Sequence, residues 1–164
     1  MQASEEVRRE DGCLFCEVLE GKRASYVFFE TPTGCLSLDP EPLSELHLVY
    51  FFKRHVTNVS ELTDRELKDL NIIYKIPEIF GDADGPYRFW IKSGDGCSRV
   101  SEHLHYHIIK NSKAFYNEDG SSKIILDRSS GFPRLDIPEE ELQSICEELK
   151  TRFETYQSLQ PETY

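Results

Sequence analysis

The stretch His-Leu-His-Tyr-His-Ile-Ile-Lys at 103–110 spends three of the chain's five histidines on alternate positions. Period-two spacing places residues i, i+2 and i+4 on one face of a β-strand, with neighbours about 6–7 Å apart along it. His103, His105 and His107 are therefore predicted to stand in a row on one side. Leu104, Tyr106 and Ile108 point to the other side, into a core. A helix would scatter the same histidines around its axis, so this segment reads as a strand with one apolar and one histidine-bearing face.

The remaining elements supply that sheet. Cys13–Gly21 reads as a turn and short helix closed by Gly21. Residues 25–30 and 35–38 are strand-like and separated by Thr-Pro-Thr-Gly, a hairpin signal. A long third strand follows at 45–53, a fourth at 86–92, and the histidine strand is the fifth. Between the third and fourth, Thr63 is predicted to cap a helix with Glu66 in capping-box position. Leu67, Leu70 and Tyr74 then recur at helical spacing until Pro77 intervenes. Pro138 opens a last helix carrying Leu142, Ile145, Leu149, Phe153 and Tyr156 along one stripe. Short turns between strands imply an α+β class with a mainly antiparallel sheet. One domain over 1–164 is expected, with 1–11 a flexible lead-in and 114–164 a C-terminal extension carrying the last helix.

Charge narrows the functional classes. Thirty acidic against 19 basic residues give −11, which disfavours nonspecific contact with nucleic acid or acidic membranes. A small anionic ligand is still admissible, because it senses only the local field. No apolar run approaches the roughly 20 residues of a membrane span, and the charged opening Met-Gln-Ala-Ser-Glu-Glu lacks a signal-peptide core. Five cysteines is an odd number, and a chain with this many aromatics does not need disulfide staples. A reduced, cytoplasmic protein is the expectation.

Imidazole titrates near neutrality, so the histidine row can supply a nucleophile, a proton carrier or metal ligands. Cys13 and Cys16 form a C-x-x-C pair able to grip a soft metal such as zinc. The same spacing also suits a redox pair or two small buried residues. A tetrahedral site needs histidines from elsewhere: His55, the triad, or His47. Asp39 stands in Asp-Pro-Glu-Pro, which by itself is turn chemistry. Trp90 and Phe89 read as core, Lys53 and Arg54 as a solvated strand end with a possible steering role, and Cys35, Cys97 and Cys146 as small buried or loop residues. The acidic face of the last helix is solvated by default, with dimer contact as the alternative.

His-Leu-His-Tyr-His-Ile-Ile resembles the signature of the histidine-triad (HIT) superfamily, in which three histidines alternate with hydrophobic residues. Residues 85–109 resemble its signature strand, glycine turn and triad strand, and 35–56 its earlier stretch from an aspartate to a Lys-Arg-His end. With Cys13-Leu-Phe-Cys16 the resemblance covers about residues 13–113. It implies a HIT-like fold, a five-stranded sheet with one long helix packed on it, and a homodimer. It also implies that His105 attacks the α-phosphorus of a small nucleotide, forming a nucleotidyl-histidine, and that His107 contacts the phosphate. Asp39 would hold the ribose hydroxyls. In zinc-bearing relatives the equivalents of Cys13, Cys16, His55 and His103 hold the metal, so a structural Zn is expected. Lys92, Arg99 and Val100 replace the Asn, Gln and Ser usual in the family. Ser98, Ser101 and the two new cations are the candidates to take over their phosphate contacts. The expected activity is hydrolysis or nucleotidyl transfer on a dinucleoside polyphosphate or related conjugate. The alternatives are a low-turnover nucleotide sensor and a zinc-stabilised interaction protein.

Overall fold

A computed structural model describes residues 9–94, 101–111, 115–121 and 133–159. The expectations for Cys97, Ser98, Arg99 and Val100 fall outside these residues, as does most of the lead-in. Helix α1 spans Leu14–Leu19, and β1 (Val27–Glu30), β2 (Gly34–Leu38) and β3 (His47–Phe52) follow. Then come α2 (Asp64–Leu70), α3 (Ile76–Ile79), β4 (Tyr87–Ile91), β5 (His105–Lys110) and α4 (Glu139–Leu159). The five strands form one antiparallel sheet in the order β1-β2-β3-β5-β4. The histidine strand therefore lies inside the sheet, between β3 and β4.

Period-two alternation sorts the side chains onto two faces. One face carries Leu36, Leu38, Leu48, Tyr50, Phe52 and Ile108, buried against Ile72, Ile73 and Ile76 and against Leu142, Leu149 and Phe153 of α4. Phe153 packs between Phe28 and Phe29, its ring centroid 5.2 and 4.9 Å from theirs. The other face carries Cys35, Val49 and Phe51, covered by Phe15, Val18 and Leu19 of α1. In register, Phe51 pairs with His105 and Val49 with His107. The apolar face holds the fold together, and the opposite face presents the histidines. In the β1–β2 hairpin, Gly34 is required for space: a Cβ there would collide with the Tyr50 phenol, whose hydroxyl lies 3.2 Å from Thr31 Oγ1.

Thr63 caps α2 through the predicted capping box with Glu66. The long helix expected beyond it is instead broken. After Leu70 the chain tightens into a 3₁₀ turn over Asn71–Lys75 before α3 resumes. At three residues per turn the buried positions shift. Ile72, Ile73 and Ile76 are fully buried, whereas Leu67 and Tyr74 are 47% and 58% exposed, contrary to the stripe read from spacing. Asp69 is drawn inward with them and accepts bonds from Thr33 N and Oγ1 at 2.9 and 2.7 Å. Pro77 terminates nothing, since it occupies the first turn of α3, where an amide N–H has no helical partner to lose.

Candidate active site

His103 precedes β5 rather than belonging to it, because the backbone turns away from the ladder there. Leu104 N donates to Val56 O at 2.7 Å, which carries His103 alongside His55, just past the end of β3. Cys13 and Cys16, at the start of α1, meet them from above. Cys13 Sγ lies 3.4 Å from His103 Nδ1, and Cys16 Sγ lies 3.3 Å from His55 Nδ1 and 3.6 Å from His103 Nδ1. The four ligand atoms all fall within 4.8 Å of one another. For thiolates and imidazoles around zinc, a tetrahedral edge from sulfur to nitrogen is roughly 3.6 Å.

The outer nitrogens of both imidazoles are also engaged. His103 Nε2 lies 2.8 Å from the Phe52 carbonyl, which can only accept, so Nε2 carries the proton and Nδ1 turns its lone pair to the thiols. His55 Nε2 lies 2.9 Å from a Glu10 carboxylate oxygen. Backing of this kind is typical of metal-binding histidines. Burial pushes the Cys16 thiol up to about 11 and the His103 imidazole, with the field of His55, down to about 3. Two thiols and two imidazoles thus converge, a donor set that fits a soft divalent metal.

Beside this cluster lies a cavity of about 430 Å³, lined by residues from α1, β2, β3, β4 and β5. His105, His107, Asp39, Lys92 and Ser101 all line it. His105 Nδ1 lies 2.7 Å from the His103 carbonyl. A carbonyl only accepts, so Nδ1 is the protonated nitrogen and Nε2 holds the lone pair. Phe15 braces the ring at a centroid distance of 4.9 Å.

A second chain of bonds fixes His107. Leu43 N donates to His47 Nδ1 at 3.2 Å, which leaves the His47 proton on Nε2. That nitrogen lies 2.8 Å from His107 Nδ1, so His47 donates and the His107 proton sits on Nε2. Burial first, then the fields of His105 and His47, holds the His107 imidazole well below its ordinary 6.5 and keeps it neutral. Asp39 closes the group, its Oδ2 lying 3.5 Å from His47 Nε2 while Oδ1 accepts from Glu41 N at 2.9 Å.

His47, predicted only as a reserve metal ligand, is therefore a buried partner of the triad and stands apart from the cysteines. Its pairing with His107 depends on β3 and β5 being neighbours, which no local signal reveals. Lys53 and Arg54 do not line the cavity. Lys53 pairs with Glu30 at 2.7 Å and Arg54 with Glu66 at 2.8 Å. Trp90 packs on Leu43, Ile109 and Phe115 yet also walls the cavity. Phe89 is 38% exposed rather than core. Cys35 is buried, which pushes its thiol to about 12.

Residues 20–114 match the HIT domain family. The chain belongs to that family. It is 26% identical over 105 residues to an adenosine 5'-monophosphoramidase of Candida albicans, covering 59% of this chain and 68% of the relative. It is 28% identical over 137 residues to a bis(5'-adenosyl)-triphosphatase of Dictyostelium discoideum, covering 79% and 91%. Among solved structures, a hypothetical histidine triad nucleotide-binding protein from Sulfolobus tokodaii superposes with a TM-score of 0.66 at 22% identity, covering 88% of this chain and 94% of that one. A Hit-like protein of Bartonella henselae gives 0.64 at 18% identity, covering 88% and 98%. The HIT fold and the five-stranded sheet agree with the reading from sequence. No helix among the described residues is long and apolar enough to cross a membrane.

Proposed function

We propose that this HIT protein is a hydrolase of small nucleotides that works through a nucleotidyl-histidine, with His105 as the nucleophile. The observation that carries this reading is the 2.7 Å contact between His105 Nδ1 and the His103 carbonyl, which leaves the Nε2 lone pair as the attacking group. In the first step Nε2 bonds to the α-phosphorus, and the bond from phosphorus to the leaving group breaks. In the second, water adds to phosphorus, the N–P bond breaks, and a nucleoside monophosphate departs. Replacing that water by another acceptor would give a nucleotidyltransferase. His107, neutral and protonated on Nε2, donates a hydrogen bond to a phosphate oxygen. Asp39 receives the ribose hydroxyls, and Ser101 and Lys92 lie at the phosphate end. The relatives named as hydrolases of a nucleoside phosphoramidate and of a dinucleoside triphosphate support this substrate class.

In the same proposal Cys13, Cys16, His55 and His103 hold a structural zinc. A metal held by these four residues would supply rigidity rather than Lewis acidity. Its contribution to catalysis is indirect, since it pins the residue whose carbonyl orients His105.

The test is to trap the intermediate. Brief incubation with diadenosine triphosphate or adenosine phosphoramidate, followed by alkaline quench and intact-mass measurement, should show an adduct of one nucleoside monophosphate. The adduct should be acid-labile and absent from His105→Ala. Turnover of either substrate with wild-type rates in that variant would eliminate the covalent route.

A further inference from the structure

The loop that carries Asp39 is poor in donors of its own. It leaves β2 through Asp39-Pro40-Glu41-Pro42, and the two prolines have no N–H to give. Asp39 N donates to His47 O at 2.9 Å, Glu41 N to Asp39 Oδ1 at 2.9 Å and Leu43 N to His47 Nδ1 at 3.2 Å. These bonds hold the side of the loop that faces His47. The carbonyls of Glu41 and Pro42 are met from elsewhere.

Their partners come from beyond residue 114, where the family match ends. Arg134 Nη1 donates to Glu41 O at 2.8 Å, and Leu135 N donates to Pro42 O at 2.9 Å. Two adjacent carbonyls are thus bound by two adjacent residues. The Leu135 side chain is exposed, so its burial is not what seats the segment. The anchor lies further along, where Ile137 packs against the core and Leu142 and Leu149 of α4 are buried in it. Arg134 lines the cavity together with Asp39 and Pro40, whereas Leu135 does not.

We propose that Arg134 and Leu135 form a strap that fixes the Asp39 carboxylate and thereby sets a preference for ribose over 2'-deoxyribose. This rests on the assignment of Asp39 to the ribose hydroxyls above. Glu41 transmits the grip, since its carbonyl accepts from Arg134 while its N–H holds Asp39 Oδ1. Arg134 is a positioning residue: it acts on Asp39 through Glu41, not on the nucleotide. A carboxylate already held in one orientation accepts from a hydroxyl without first losing its own freedom. A ligand that lacks the 2'-hydroxyl gains less from that order.

The experiment measures AMP and 2'-deoxy-AMP affinities by calorimetry for wild type, Arg134→Ala, Arg134→Lys, Leu135→Pro and the Arg134→Ala/Leu135→Pro double variant. Leu135→Pro removes one N–H at a position off the cavity wall. Wild type should bind AMP about tenfold or more tighter than 2'-deoxy-AMP, as for a hydroxyl bonded to a charged group. Arg134→Ala and Leu135→Pro each leave one of the two bonds in place and should lower that preference about threefold. The double variant should approach parity, and Arg134→Lys, which keeps a charged donor, should retain more preference than Arg134→Ala. Affinity for 2'-deoxy-AMP should stay within about threefold throughout, which reports a folded cavity. Only binding is read, so the result stands whether or not the protein hydrolyses nucleotides. If both affinities fall together in Arg134→Ala while Leu135→Pro matches wild type, Arg134 touches the ligand directly and the strap is overturned. A wild-type preference in both single variants overturns it as well and leaves the assignment of Asp39 standing. If wild type does not distinguish the two ligands, that assignment fails and the strap falls with it. Should Arg134→Ala unfold at the assay temperature, Arg134→Gln, which keeps most of the bulk, is read against the same outcomes.

Discussion

His103 and His105 are joined by one hydrogen bond: the carbonyl of His103 lies 2.7 Å from Nδ1 of His105, while the His103 ring closes the cluster with Cys13 and Cys16. Whatever holds the ring of His103 also holds the acceptor that sets the tautomer of His105. Purified without chelator or added metal, the protein should contain about one zinc per chain. Cys16→Ala should lose the metal and about 2–4 kcal/mol of stability. Its turnover should fall although Cys16 does not line the cavity. Metal analysis, thermal melts and kinetics on the same preparation check the three together. Full activity in a metal-free variant would uncouple the cluster from the cavity.

His105→Ala removes the lone pair but leaves Asp39, His107 and the apolar wall of the cavity. Nucleotide affinity should stay within about threefold, while turnover should drop by about a thousandfold or more, as for loss of a nucleophile. Calorimetry with AMP and steady-state assays separate the two effects. A parallel loss of both would mark His105 as a binding residue.

The sheet and its histidine-bearing face were legible because period-two alternation is a local property. His105 and His107 needed only their own strand to be read, and the C-x-x-C pair needed only its spacing. The Thr63–Glu66 capping box was likewise visible, being a contact across three residues. What failed depended on tertiary context. The 3₁₀ turn at 71–75 follows from fitting Ile72, Ile73 and Ile76 into the core at once, which no count of helical spacing contains. His47 and Arg134 reach the cavity only because β3 lies beside β5 and because residues 134–135 bond to the loop at 41–42. A lone histidine or arginine carries no signal of such distant partners.

Arg54 illustrates the same point for stability. Its Nε and Nη2 donate to the two carboxylate oxygens of Glu66 at 3.1 and 2.8 Å, and Nη2 also donates to Glu61 O at 2.7 Å. Glu66 is nearly buried, at 4% exposure. Burial alone would raise its carboxyl, but the Arg54 and Thr63 bonds win and hold it below the usual range. Arg54→Ala would leave a buried carboxylate short of a partner and should cost about 1–3 kcal/mol. Arg54→Ala combined with Glu66→Gln should recover part of that loss. Urea denaturation of the single and double variants measures it, and a neutral single variant would mean that the pair is no more than a surface bridge.

His107 should make stability depend on pH in a predictable direction. In the unfolded chain its imidazole takes up a proton near 6.5, whereas in the folded protein burial and the neighbouring His105 and His47 hold it well below that value. The unfolded state therefore binds the extra proton first as pH falls. The contribution of His107 is complete above about pH 6.5 and erodes below it, until the folded imidazole also protonates. One such group limits the slope to about 1.4 kcal/mol per pH unit. His107→Gln, which cannot titrate, should be less stable than wild type at pH 7.5, because it disturbs the bond from His47 Nε2. Groups remote from His107 titrate alike in both proteins, so the comparison reports on this imidazole and the contacts it makes. The stability gap between them should narrow by about 1 kcal/mol between pH 7.5 and 5.5. Urea midpoints at several pH values provide the measurement. A gap that stays constant or widens on acidification would show that His107 accepts its proton as readily in the folded protein as in the unfolded chain, and its assignment as a neutral donor to phosphate would have to be withdrawn.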